Sequence, residues 1–231
     1  NTGQTNFASL SEGTSDLNIE DVISSGITGL GTIIAIVDTG LEITDEDLSA
    51  NVVAGKSYDY SDQDNNPEPV NSLGDHGTSI AGLTSAVGGN NIGVRGVAPN
   101  SKVVGFNLIG GSNNTTSNMI DALGGASGGA DTQQVDIFNM SFGPNADRFF
   151  PSPLNASFEA AFKNGADNLR TGKGAIYVTS AGNQWSFREN SNIYFCGPNY
   201  GVNNSAEAFP CWDASFDTKL TVPYVIGVAS L

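Results

Sequence analysis

Three polar residues stand where a side chain could do chemistry at the end of an apolar run. Asp38 closes Thr32-Ile33-Ile34-Ala35-Ile36-Val37, and His76 lies within Gly74-Asp75-His76-Gly77-Thr78-Ser79, ahead of a stretch of small residues. Asn183 ends Ser180-Ala181-Gly182-Asn183. A carboxylate that orients an imidazole, and an imidazole that then moves a proton, are two parts of a nucleophile–base–acid triad. A side-chain amide beside them could donate to an oxyanion, a contribution of about 3 kcal/mol to the barrier. Taken singly, each also has a plainer reading, as a solvated histidine or as a turn asparagine after a strand.

Such residues need a frame that brings them together. The run before Asp38 is apolar at both parities, as in a strand covered on both faces. Similar runs span Lys102 to Leu108, Val135 to Met140, Ala175 to Thr179 and Tyr224 to Val228. Between them, His76 to Val87, Thr116 to Leu123 and Asn155 to Arg170 have helical character. In the last, Leu154, Phe158, Ala161 and Phe162 recur at helical spacing. The alternation predicts an α/β fold, a doubly wound parallel sheet with helices on both faces. Ligands bind such sheets beyond the carboxyl ends of the strands. That rule singles out Asp38-Thr39-Gly40, Asn107 to Gly111, Ser141-Phe142-Gly143 and the segment ending in Asn183. Loops rich in Gly and Asn run from Ser57 to Gly74 and from Gln184 to Pro210. Neither an internal repeat nor a linker divides residues 1–231, which read as part of a single domain.

Composition excludes several functions. Nine Lys and Arg against 24 Asp and Glu give a net charge of −15. Clustered cations for nucleic-acid phosphates or an anionic membrane surface are therefore lacking. No apolar run approaches the roughly 18 residues of a transmembrane helix. The opening Asn1-Thr2-Gly3-Gln4-Thr5 lacks the charged and apolar regions of a signal peptide, as expected of a mature chain or an excised segment. With 39% hydrophobic and 14% charged residues, the composition is that of a globular protein. Cys196 and Cys211 are too few for a metal site, with the single histidine far off in sequence. Their Gly-, Pro- and Asn-rich loop favours a local disulfide, which for a loop of about 15 residues contributes roughly 3 kcal/mol. Two buried thiols are the alternative, and a disulfide would imply an oxidising compartment.

Taken in order, Ile36-Val37-Asp38-Thr39-Gly40, Asp75-His76-Gly77-Thr78, Ser141-Phe142-Gly143 and Ser180-Ala181-Gly182-Asn183 resemble a subtilisin-like serine protease. The likeness runs from about Asp16 to Leu231. The stretch Lys56-Ser57-Tyr58-Asp59-Tyr60-Ser61-Asp62-Gln63-Asp64-Asn65-Asn66-Pro67-Glu68-Pro69 is similar to the kexin and proprotein-convertase branch, as is the entry segment Asn1-Thr2-Gly3-Gln4. The family's nucleophile lies in a Gly-Thr-Ser-x-x-x-Pro segment, and no such segment occurs here. Gly77-Thr78-Ser79 belongs to the histidine motif, so Ser79 is not that nucleophile. The resemblance therefore implies the N-terminal portion of a peptidase domain, incomplete at its C-terminal end, that does not hydrolyse peptides by itself.

Two rival motifs fail. Asp38-Thr39-Gly40 also fits the aspartic-protease signature, which needs a second such carboxylate and an all-β fold. Gly125-Ala126-Ser127-Gly128-Gly129 fits the nucleophile elbow, which needs a strand before it and a histidine after it. Here a helical stretch precedes it and His76 lies upstream.

The resemblance implies specific roles. Asp38 would orient His76, His76 would act as base and then acid, and Asn183 would stabilise the oxyanion. Polypeptide substrate would lie extended along Ser141, Phe142 and Gly143. Asp75, Asp147 and Glu189 would favour basic residues before the scissile bond. Calcium (Ca2+) is the implied cofactor, held at one site by Asp47, Asn90 and the carbonyls of Val87 and Ile92, and at a second by Asp59, Asp64 and Asn66. Asp62-Gln63-Asp64 is not an EF-hand loop, because Pro67 stands in place of the required glycine. A secreted, extracellular setting and a prodomain or remaining C-terminal part as partner complete the expectation. The competing reading is a non-catalytic domain that captures extended peptides at Ser141-Phe142-Gly143.

Overall fold

A computed structural model of the chain describes residues 5–6, 19–69, 75–125, 129–143, 155–182, 195–196, 209–210 and 217–229. In chain order the elements are β1 (Thr5–Asn6), α1 (Glu20–Ser24), β2 (Ile33–Asp38), β3 (Tyr58–Asp59), α2 (Asp75–Ser85), β4 (Val94–Arg95) and β5 (Lys102–Asn107). There follow α3 (Thr116–Ala122), β6 (Ile137–Met140), α4 (Ala156–Gly172), β7 (Ile176–Ser180), β8 (Phe195–Cys196), β9 (Phe209–Pro210), a 3-10 turn (Thr218–Thr221) and β10 (Val225–Val228). The main sheet has six strands in the order β10-β7-β6-β2-β5-β3, all paired in parallel. After β2 the chain fills one side, edge strand β3 before the inner β5, and then builds outward through β6, β7 and β10 on the other, so the direction reverses at β2, at the crevice where such sheets bind ligands.

Alternation along each strand explains the two-sided core. Ala35 and Val37 of β2 join Val104, Phe106, Phe138, Met140 and Tyr177 beneath Leu123, Phe162 and Leu169 on the α3–α4 side. Ile34 and Ile36 point the other way, onto Val103, Leu41, Leu48 and Ala81 on the α2 side. Tyr177 stacks on Phe138 with ring centres 4.9 Å apart, and its hydroxyl donates to the Leu123 carbonyl at 2.6 Å. Cover is uneven. Ile176, Ile226 and Val228 on the α2 side of β7 and β10 are about half exposed, with no described helix over them.

The strands fall within a residue or two of the runs expected from sequence, and two helix ends differ. Helix α2 stops at Ser85 rather than Val87, because the Val87 amide leaves the helical ladder and donates to the Asp47 carbonyl at 2.9 Å. Helix α4 begins under an Asn155 cap but is broken at Leu169, and Arg170 and Thr171 are left-handed with φ of 57°. Arg170 turns out to pair with Asp136 at 2.5 Å, and Asp136 in turn accepts the Ile33 amide at 2.7 Å. Within the loop expected from Ser57 to Gly74, Tyr58–Asp59 instead adds the edge strand β3.

Candidate active site

Asp38 ends β2 at the switch point. Its carbonyl accepts the Leu108 and Ile109 amides at 2.9 and 3.1 Å, which pins it to the end of β5. The side chain is fully buried. Oδ1 accepts the Thr39 amide and faces His76 Nδ1, each at 2.7 Å. Oδ2 is buried without a hydrogen-bond partner among the described residues. An ionised carboxylate only accepts, so Nδ1 of a neutral His76 carries the proton and Nε2 keeps its lone pair. His76 is the second residue of α2 with its side chain 51% exposed, so Nε2 belongs to the open side of the pair.

The helix reaches this position through glycine. The Gly77 amide donates to Thr39 Oγ1 at 3.1 Å, and Thr78 Oγ1 accepts the Glu42 amide at 3.0 Å. A Cβ on Gly77 would lie 2.1 Å from the Gly40 carbonyl oxygen. Asp38 and His76 are thus brought into contact by a backbone approach that no other residue type permits.

The sequence singled out Asn107 to Gly111 as a strand end, and the structure gives Asn107 a supporting role. Asn107, opposite Asp38 in the β2–β5 register, donates to Asp59 Oδ2 at 2.6 Å and accepts the Gly110 amide at 3.2 Å. A Cβ on Gly110 would lie 2.2 Å from the Thr39 carbonyl oxygen, so this turn packs on the residue whose amide holds Asp38. Nearby, Tyr60 donates to Asp121 Oδ2 at 2.8 Å, and the Gly129 and Ala130 amides share that oxygen. Burial first, and the Asp121 charge second, push the Tyr60 phenol far above its ordinary range.

Of the two sets of candidate calcium ligands, the first is gathered around buried Asp47. Its carbonyl accepts the Val87 amide, Oδ1 accepts Asn90 Nδ2 at 2.7 Å, and Oδ2 accepts the Val94 amide at 2.8 Å. Asn90 Oδ1 accepts the Ile92 amide at 3.1 Å, which closes the loop. These are hard oxygens of the kind Ca2+ takes, and in the structure both Asp47 carboxylate oxygens and Asn90 Oδ1 accept hydrogen bonds from within the chain. In the second set, Asp59 Oδ1 already accepts the Ser61 and Asp62 amides at 2.6 and 3.1 Å, and Oδ2 accepts Asn107. Asp64 Oδ1 accepts the Asn66 amide at 2.9 Å. That turn is held by its own hydrogen bonds. Among the described residues no group of three or more His, Cys, Asp or Glu forms a metal cluster.

At the end of β6, Asn139 donates to Ser141 Oγ at 2.9 Å, and the Phe142 carbonyl accepts Lys219 Nζ at 3.1 Å. Lys219 pairs with Asp217, and neither residue was singled out from sequence. Asp75 opens α2 and is exposed beside His76. Asn183, Asp147, Glu189 and Cys211 lie outside the described residues. The β8–β9 register sets Cys196 against Phe209, two positions before Cys211.

Residues 29–209 match the model of the subtilase family. The chain is 37% identical over 179 residues to kexin of Saccharomyces cerevisiae, covering 77% of this chain and 21% of kexin. It is 35% identical over 222 residues to neuroendocrine convertase 2 of Homo sapiens, covering 92% of this chain and 34% of that protein. Against furin of Rattus norvegicus the identity is 34% over 172 residues, covering 73% of this chain and 21% of furin. The solved serine protease of Aeromonas sobria superposes with a TM-score of 0.73 at 26% identity, over 92% of this chain and 34% of that one. A protease of Pseudoalteromonas arctica gives 0.60 at 27% identity, over 75% and 56%. The chain therefore spans between a fifth and about a third of these curated relatives.

Proposed function

Because the chain belongs to the subtilase family, we propose that it carries the acid and base of a serine endopeptidase whose nucleophilic serine lies outside these 231 residues. The observation that carries this reading is the 2.7 Å contact between buried Asp38 and His76 at the reversal of strand order. Asp38 holds the Nδ1–H tautomer and stabilises the imidazolium. His76 Nε2 takes the serine proton during attack on the peptide carbonyl and returns it to the departing amine. Oδ2 of Asp38, desolvated and unpaired among the described residues, leaves most of the carboxylate's field directed at the imidazole. Asn183 donates its amide to the oxyanion. Substrate lies extended against Ser141, Phe142 and Gly143. Asp75, Asp147 and Glu189 favour basic residues before the cleaved bond, in keeping with the likeness to kexin and furin.

The same reading places Ca2+ at Asp47, Asn90 and the Val87 and Ile92 carbonyls, where it supplies a rigid link between the loop before Asp47 and the end of α2. The Asp59, Asp64 and Asn66 turn is the second proposed site, and there, as at Asp47, both oxygens of the leading carboxylate accept hydrogen bonds from within the chain. A Cys196–Cys211 disulfide, a secreted setting and a prodomain partner belong with this reading. No described helix is long and apolar enough to cross a membrane.

The test is peptide mapping of the full-length protein after reaction with a fluorophosphonate that labels activated serines. The endopeptidase reading requires label on a Gly-Thr-Ser segment beyond Leu231 and its loss in His76→Ala. Peptide binding with neither label nor turnover would assign the chain to peptide capture instead.

A further inference from the structure

The end of β6 and the 3-10 turn that follows Asp217 meet through an ion pair. Lys219 Nζ stands 2.8 Å from Asp217 Oδ2, with the two side chains 14% and 7% exposed. The same ammonium donates to the Phe142 carbonyl at 3.1 Å and lies 5.0 Å from the centre of the Phe142 ring. Asp217 Oδ1 accepts the Lys219 amide at 3.0 Å, capping the turn. Both carboxylate oxygens are thus satisfied from within the chain. A Cβ on Gly143 would lie 3.2 Å from Asp217 Oδ2, so the pair abuts the segment on which substrate is placed.

We propose that Lys219 is a specificity-determining residue, an internal cation that neutralises Asp217 at the substrate segment. The proposal rests on the endopeptidase reading and refines it. A buried carboxylate facing an extended peptide attracts a Lys or Arg side chain strongly, because it is desolvated and otherwise unpaired. Here that counter-charge is already present. A substrate cation must displace Lys219 from Asp217, from the Phe142 carbonyl and from the Phe142 ring, so three favourable interactions are broken to form one. A neutral side chain such as Leu meets no such competition. Selectivity for basic residues at this position is held down by Lys219, and whatever basic preference the protein has comes from other acids.

The experiment uses the full-length protein and two fluorogenic peptides that differ only in Arg or Leu before the scissile bond. Lys219→Met keeps the aliphatic stem and exposes the acid, and it raises the Arg/Leu ratio of kcat/KM by about tenfold or more. Lys219→Arg keeps the wild-type ratio. Asp217→Asn lowers the ratio, since it leaves the Lys219 ammonium uncompensated at the substrate segment, where it repels a substrate cation. The double variant Asp217→Asn/Lys219→Met returns to the wild-type ratio. The proposal is overturned if the double variant keeps the raised ratio of Lys219→Met, because the gain would then not come from an exposed Asp217. An unchanged ratio in folded Lys219→Met overturns it equally. Should the wild-type protein cleave neither peptide, the endopeptidase reading fails by itself. Fluorescence anisotropy with peptides ending in Arg or Leu then puts the same question to Lys219 through the ratio of Kd values, with the same expected and overturning results.

Discussion

Gly77 lies so close to Gly40 that a Cβ on the first would stand 2.1 Å from the carbonyl oxygen of the second. Contact at that distance is relieved only by moving α2 away from the end of β2. Since His76 precedes Gly77, the movement separates the imidazole from Asp38. Gly77→Ala is expected to lower kcat by about a hundredfold, the cost of a displacement near 1 Å in a reacting group. Steady-state kinetics check this, with KM close to wild type.

Asp38→Asn keeps the shape of the pair and removes the charge that selects the Nδ1–H tautomer. The expected loss is about ten-thousandfold in kcat. A melting temperature within a few degrees of wild type, alongside that loss, separates a chemical role from a structural one.

Calcium, proposed at Asp47, would link two segments in the folded state only. At a free concentration about a hundred times Kd it would add roughly 2.7 kcal/mol. Adding EGTA should then lower the melting temperature by about 5–10 °C. Asp47→Asn should already melt at the lower temperature and respond little to chelator, as scanning calorimetry of both proteins will show.

Two buried phenols set the alkaline limit. Burial raises Tyr177, and burial together with Asp121 raises Tyr60, each from an ordinary value of 10.0. Above pH 10 the unfolded chain gives up protons that the native chain keeps, so stability is present below that pH and falls as pH rises. Each residue contributes a slope of about 1.4 kcal/mol per pH unit. Urea titrations between pH 9 and 11 should show that slope reduced in Tyr60→Phe, compared with wild type by slope rather than by midpoint.

The Cys196–Cys211 pairing predicts that the native protein takes up no iodoacetamide at either position until it is reduced. Opening a loop of this size should cost about 3 kcal/mol. Intact mass before and after reduction reads the first, and denaturant unfolding the second.

Much of the sheet was legible because β2 is apolar at both parities, and the structure puts Ile34 and Ile36 in one core and Ala35 and Val37 in the other. Asp38 and His76 were legible because strand ends and helix starts are where parallel sheets present polar groups. The supports were not. Asn107 stands out in sequence only as a strand end and Asp59 as an implied calcium ligand, and their mutual hydrogen bond appears only once the register opposite Asp38 is known. Lys219 and Phe142 are distant in sequence, and no periodicity reports that their segments meet. Arg170 looked helical because propensity is local, whereas its left-handed turn is fixed by Asp136 across the sheet.

The central place of β2 has a consequence for how the molecule is made. During synthesis β2 emerges before either of its neighbours, and its Ile33 amide bonds to Asp136, 103 residues further along the chain. Until that later stretch has been translated, an apolar ribbon remains without its second partner and Asp38 has no finished strand end to occupy. Folding of this topology is dominated by remote pairings and is correspondingly slow, with a long interval of exposure to wrong partners. The centrality that fixes the Asp38 carboxylate in the folded protein thus makes its strand the one most dependent on protection while the chain is young.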